Sequence, residues 1–106
     1  MQRITVRRKL ARTDIEQAAV YYLETAGLPV AERFVAAVEA AAAHAATHPE
    51  AGSARCAQAL DRHGLRFWPL KGFPYLVFYL DAGDHLDVWR VLHAERDIPA
   101  WLREEE

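Results

Sequence analysis

Apolar and polar positions divide the chain into seven segments. Residues 2–10 alternate, with Ile4, Val6 and Arg8 on one side and Arg3, Thr5 and Arg7 on the other, which predicts a half-buried strand. Thr13 and Glu16 stand in a T-D-I-E capping pattern that predicts a helix start. Ile15, Ala18, Ala19, Tyr22 and Leu23 then share one helical face. Gly27 suits the helix end and Pro29 the first turn of the next helix. There Phe34, Val35, Val38, Ala41, Ala42 and Ala45 form the apolar stripe, and Pro49 stops the helix by disfavouring helical geometry at His48. Leu65–Leu70 reads as a short strand whose Pro69 marks it as an edge or a bulge. Tyr75–Leu80 and Leu86–His93 are two apolar strands about the turn Asp81-Ala82-Gly83-Asp84. Ile98–Arg103 is expected to close the chain as a short helix with Trp101 packed inward.

This order predicts an α+β fold: an N-terminal strand and an α-helical hairpin packed on a small antiparallel sheet. With 106 residues the chain is expected to form one domain around one core. Both faces of the last two strands are apolar. Leu76, Phe78 and Leu80 oppose Tyr75, Val77 and Tyr79, and Val88 and Leu92 oppose Trp89 and Val91. One helical layer covers one face, so the other calls for its own cover, and a partner protein is a candidate.

Charge narrows the function. The net charge is −2 and the pI near 6.2, whereas proteins that live on phosphate backbones are usually strongly basic. Direct sequence-specific nucleic-acid binding is not expected. Basic residues gather in Arg3–Arg12, where they discourage unwanted edge pairing or steer an acidic partner. No apolar run reaches membrane-spanning length and the N-terminus lacks a signal-peptide core, so a cytoplasmic protein without membrane contact is expected. Cys56 is the single cysteine and reads as structural. His44 and His48 lie one helical turn apart without a third ligand nearby in sequence, so neither a metal nor a cofactor is expected.

The polar residues that end the last strand are the candidate chemistry. Arg90 sits within an apolar strand, so its charge must reach an acid or the surface, and a structural ion pair is the simpler reading. His93 at the strand end is placed for proton transfer, although a histidine bonded to backbone is the commoner case. Arg96 reads as either a surface contact or half of an ion pair, and Asp97 as a helix cap ahead of Ile98-Pro99. Trp68 and Trp101 read as core or interface aromatics, Trp68 having the stronger claim to exposure because it opposes Leu65 and Phe67.

The P-E-A-G turn at Pro49–Gly52, L-R-x-x-P at Leu65–Pro69, the strand P-Y-L-V-F-Y and the ending R-V-L-H-A-E-R-D, in this order, resemble the ParE group of the RelE/ParE toxin superfamily. The resemblance covers nearly the whole chain. It implies a toxin of a type II toxin–antitoxin system that inhibits DNA gyrase and blocks replication. It also implies neutralisation by a cognate antitoxin, usually of the ribbon-helix-helix type, whose C-terminal segment wraps the toxin. Such a toxin has no catalytic residues of its own, and its target- or antitoxin-binding surface would draw on Trp68, Arg90, His93, Arg96, Asp97 and Trp101. The alternative is a RelE-like ribosome-dependent mRNA endoribonuclease. There His93 would move the proton, Arg66, Lys71, Arg90 and Arg96 would hold phosphate, and Tyr75 or Tyr79 would stack on a base. A third reading is a target-inactive module that binds an antitoxin only.

Overall fold

The computed structural model describes residues 4–55 and 64–96. Its elements run β1 (Ile4–Arg7), α1 (Lys9–Ala26), α2 (Leu28–Thr47), β2 (Arg66–Pro69), β3 (Tyr75–Asp81) and β4 (His85–His93). The four strands form one sheet in the order β1-β4-β3-β2. The three C-terminal strands are antiparallel, as the hairpin pattern implies, whereas β1 joins β4 in parallel, Ile4 opposite His85 and Arg7 opposite Val88. A parallel neighbour needs a crossover, and the helical hairpin supplies it. The α+β architecture thus agrees with the sequence pattern, with a mixed sheet. The expected C-terminal helix, Cys56, Asp97 and Trp101 lie outside the described residues.

The first helix begins four residues before the T-D-I-E motif. The Arg8 amide donates to Val88 O (3.0 Å) and ends the strand ladder, and the Arg12 amide then donates to Arg8 O (3.0 Å) and opens the helix. Lys9-Leu10-Ala11-Arg12 are strong helix formers, and Ala11 is fully buried, so propensity and packing together override the motif. Thr13 Oγ1 donates back to Lys9 O (3.1 Å) inside the helix and caps nothing. The strand is correspondingly short. Ile4 and Val6 are exposed, at 73% and 46%, and are not the half-buried side that alternation suggests. Gly27 takes a positive φ of 97°, its amide donates to Tyr22 O (3.0 Å), and its carbonyl accepts from Ala31 to start α2. Leu23 also departs from the expected stripe and is exposed.

The core between sheet and helices joins Ala11, Ile15 and Ala18 of α1, Phe34, Val38 and Ala42 of α2, and Val77, Tyr79, Leu86, Val88 and Val91 of the sheet. Alanines along α2 keep that helix close to the strands, since they add little bulk and no rotamer entropy. Phe34, Tyr22, Phe73 and Tyr75 pack their rings at centroid distances of 5.2–6.3 Å, mostly edge-on.

On the other face Leu65, Phe67, Phe78 and Leu92 form a second buried cluster flanked by Leu76, Leu80 and Trp89. Phe78 is fully buried and Leu65 is 1% exposed, so these residues do not await a partner's cover, contrary to the expectation from the two apolar faces. Strand alternation also changes phase. A bulge sets Phe78 opposite Arg90 and Tyr79 opposite Val88, leaving Trp89 as the extra residue. Val91 therefore joins Leu86 and Val88 on the helical side, while Trp89 and Leu92 point to the second face.

Candidate functional site

The polar residues at the end of β4 meet α1 because β1 is short. The parallel ladder stops at Val88, so among the described residues no strand continues alongside β4 beyond it on that side. Asp14 of α1 fills the gap. Its Oδ2 accepts from the Val91 amide (3.0 Å) and from Arg90 Nε (2.8 Å), and its Oδ1 accepts from Arg90 Nη2 (2.9 Å). The pair is mostly buried, with side-chain exposures of 23% for Arg90 and 11% for Asp14. Such a bidentate bond fixes helix against strand. Arg90 is thereby held in the structural ion pair that its place in an apolar strand suggests.

His93 ends β4 opposite Tyr75, with the two rings 5.2 Å apart and edge-on. Its Nδ1 accepts from the amides of Glu95 (3.1 Å) and Arg96 (3.2 Å) and so shapes the turn that follows. With Nδ1 an acceptor, the ring proton sits on Nε2. Arg96 extends from that turn over α1. Its Nη2 donates to the Tyr75 hydroxyl (3.3 Å), and its guanidinium carbon lies 5.8 Å from the centre of the Tyr21 ring. Asp14, Gln17, Tyr21, Tyr75, Val91 and Arg96 line a cleft of about 250 Å³ between α1 and the sheet. Burial, followed by the neighbouring Tyr75 and Tyr21 phenols, raises the Tyr22 hydroxyl above the ordinary phenol range.

The remaining sequence candidates lie elsewhere. Trp68 is on β2 at the opposite edge of the sheet and stacks on His44 of α2 (4.3 Å between ring centres), half-buried against the helical core. Its opposition to Leu65 and Phe67 holds, but that turns it toward the helices, because Leu65 and Phe67 face the second cluster. Arg66 Nη1 donates to Gly52 O (2.7 Å). It pairs with Tyr79, four residues along β3 from the Tyr75–His93 pair, a separation of about 13 Å at strand spacing. Lys71 belongs to the β2–β3 turn and borders a separate groove of about 740 Å³ against the outer side of α2, with Arg33, Ala36, Ala40 and Phe73. Of the ribonuclease set, Arg66 and Lys71 therefore lie apart from His93, Arg90 and Arg96. Among the described residues, no three His, Cys, Asp or Glu side chains cluster as metal ligands, and no helix is long and apolar enough to cross a membrane.

Sequence reasoning missed Asp14, Gln17 and Tyr21 as members of the site. The available signal was their i, i+3, i+7 spacing, a polar stripe beside the buried one on α1.

Tyr79 holds a second structural knot. Its buried hydroxyl accepts from the Gly52 amide (3.0 Å) and donates to Pro49 O (2.8 Å), tying down the P-E-A-G turn. Burial raises this phenol as well. A Cβ on Gly52 would run into the Tyr79 hydroxyl and come within 2.8 Å of Phe67 O, so only glycine fits there.

No curated protein matches the chain. Among solved structures, the fold resembles a chain of the chromosomal ParDE toxin–antitoxin system from P. aeruginosa. That match has a TM-score of 0.73 and 16% identity, and covers 89% of this chain and 98% of the other. A family model described as the ParE toxin of the type II toxin–antitoxin system parDE matches residues 6–98. With the end of β1, the helical hairpin and all three C-terminal strands inside that span, the chain belongs to the ParE toxin family of type II toxin–antitoxin systems.

Proposed function

We propose that this ParE-family chain acts by binding DNA gyrase and blocking replication in the cytoplasm, and that a cognate antitoxin of the ribbon-helix-helix type neutralises it. The observation that carries the reading is the state of the polar cluster at the end of β4. His93 spends its acceptor nitrogen on two backbone amides and Arg90 is locked to Asp14. Arg66 and Lys71 point to other regions. General acid–base cleavage of RNA needs a base and several cations around one phosphate, and this arrangement offers a rigid binding surface in its place. An antitoxin partner is supported by family membership and by the likeness to a chain of the P. aeruginosa ParDE toxin–antitoxin system. The surface assigned to partners comprises Arg96 and the residues around it, with Asp97 and Trp101 kept as proposals from the sequence. Trp68, stacked on His44, is a weaker candidate than its sequence position suggests.

The test is a gyrase supercoiling and DNA-cleavage assay with the purified chain freed of antitoxin. Loss of supercoiling or accumulation of cleaved plasmid at near-stoichiometric protein is expected. No effect from a folded chain, together with mRNA cleavage in translating ribosomes, would overturn the reading in favour of the ribonuclease.

A further inference from the structure

Among the described residues, the cleft between α1 and the end of the sheet contains one cation, Arg96, that no acid balances. Asp14, on its wall, has both oxygens engaged by Arg90 and the Val91 amide. Arg96, on the other side, is exposed, and among the described residues no carboxylate forms an ion pair with it. Its contacts are the Tyr75 hydroxyl and the Tyr21 ring, which orient the guanidinium without neutralising it. Gln17 adds an exposed amide to the same cleft.

We propose that this cleft receives one acidic side chain, Asp or Glu, from a partner protein, with Arg96 as the anion-binding residue and Gln17 and Tyr21 beside it. The inference deepens the reading of the chain as one half of a protein pair and rests on it. Three observations select this occupant. A planar carboxylate matches the two-pronged guanidinium, and with a single charge it is repelled less by the Asp14 carboxylate on the same cleft than a phosphate dianion would be. The volume of about 250 Å³ is below that of ordinary cofactor and small-molecule pockets and suits a single side chain. Exposed apolar residues also extend the site. Leu10 and Tyr21 are 57% and 50% exposed on the α1 stripe that carries Asp14 and Gln17, about 16 Å apart at helical rise. A segment with apolar residues flanking its acid would cover them while its carboxylate meets Arg96.

The test is selection of random linear peptides displayed on phage against the whole chain and against Arg96→Gln, whose fold is checked by its circular dichroism melt. Peptides enriched in Asp or Glu next to apolar residues are expected from the natural chain but not from Arg96→Gln, and Arg96→Lys should retain the acid preference. Replacing the acid of a selected peptide by its amide should weaken binding about ten-fold, as expected for a charged hydrogen bond, and should change nothing on Arg96→Gln. Selections without acid enrichment, or with the same enrichment on Arg96→Gln, would overturn the proposal. So would inorganic phosphate displacing the peptide better than acetate. A chain that selects acidic peptides yet leaves gyrase untouched overturns the gyrase reading alone. A gyrase-active chain that selects none overturns this one alone.

Discussion

Removing one oxygen from Tyr79 tests how the P-E-A-G turn is held. Tyr79 is 1% exposed, and its hydroxyl serves Gly52 N and Pro49 O at 3.0 and 2.8 Å. In Tyr79→Phe the buried Gly52 amide loses its acceptor, which costs about 1–3 kcal/mol, and the lost bond to Pro49 O adds about 1 kcal/mol. A total of about 2–4 kcal/mol corresponds to a fall in Tm of roughly 10–20 °C for a domain of this size. Urea unfolding followed by circular dichroism measures it. Alkaline pH gives a second reading of the same bond. Burial raises the Tyr79 phenol above its ordinary value, so the folded state holds that proton more tightly than the unfolded chain. This contribution is fully present below the unfolded phenol pKa of about 10 and is lost as pH rises through the folded value. Stability should therefore fall with pH above about 10, less steeply in Tyr79→Phe, where the Tyr22 shift still contributes. A loss under about 0.5 kcal/mol, with unchanged pH dependence, would refute the claim that this hydroxyl anchors the turn.

Gly52→Ala should destabilise by about 1–3 kcal/mol in the same assay, because its Cβ meets the Tyr79 hydroxyl and Phe67 O. Asp14→Ala takes the acceptor from the Val91 amide and a bidentate partner from Arg90, and should cost about 1–3 kcal/mol, measured by urea unfolding. Arg8→Ala, which breaks the outlying pair with Asp87, should cost less than about 1 kcal/mol because Arg8 is 46% exposed. His93→Ala should leave gyrase inhibition within about two-fold, since the turn contact it removes is partly exposed and worth about 0.5–1.5 kcal/mol. Ribosome-dependent mRNA cleavage by the natural chain that the folded variant loses would point back to proton transfer.

Local pattern made most of the elements legible. Helical stripes, Gly27, Pro29 and the D-A-G-D turn are short-range signals, because a helix or a hairpin is decided by residues within a few positions of each other. The motif sequence pointed to the family for the same reason, since its pieces are contiguous strings in a fixed order. Where two local signals competed, the reading failed. The T-D-I-E motif promised a helix start, but the helix formers before it and the buried Ala11 moved that start to Lys9.

Tertiary structure alone decided the rest. The parallel pairing of β1 with β4 joins residues some eighty positions apart, and no periodicity encodes a partner. Because β1 ends at Arg7, β4 is left open beyond Val88, and that opening brings Asp14 onto Arg90 and Val91. The bulge opposite Phe78 and Tyr79 shifts the face of every later residue on β4, a change that strict alternation cannot register. Arg90 and Arg96 were visible in the sequence as charges. One became a structural bond and the other the open cation of a cleft because their neighbours come from α1, which lies far away along the chain and adjacent only in the folded molecule.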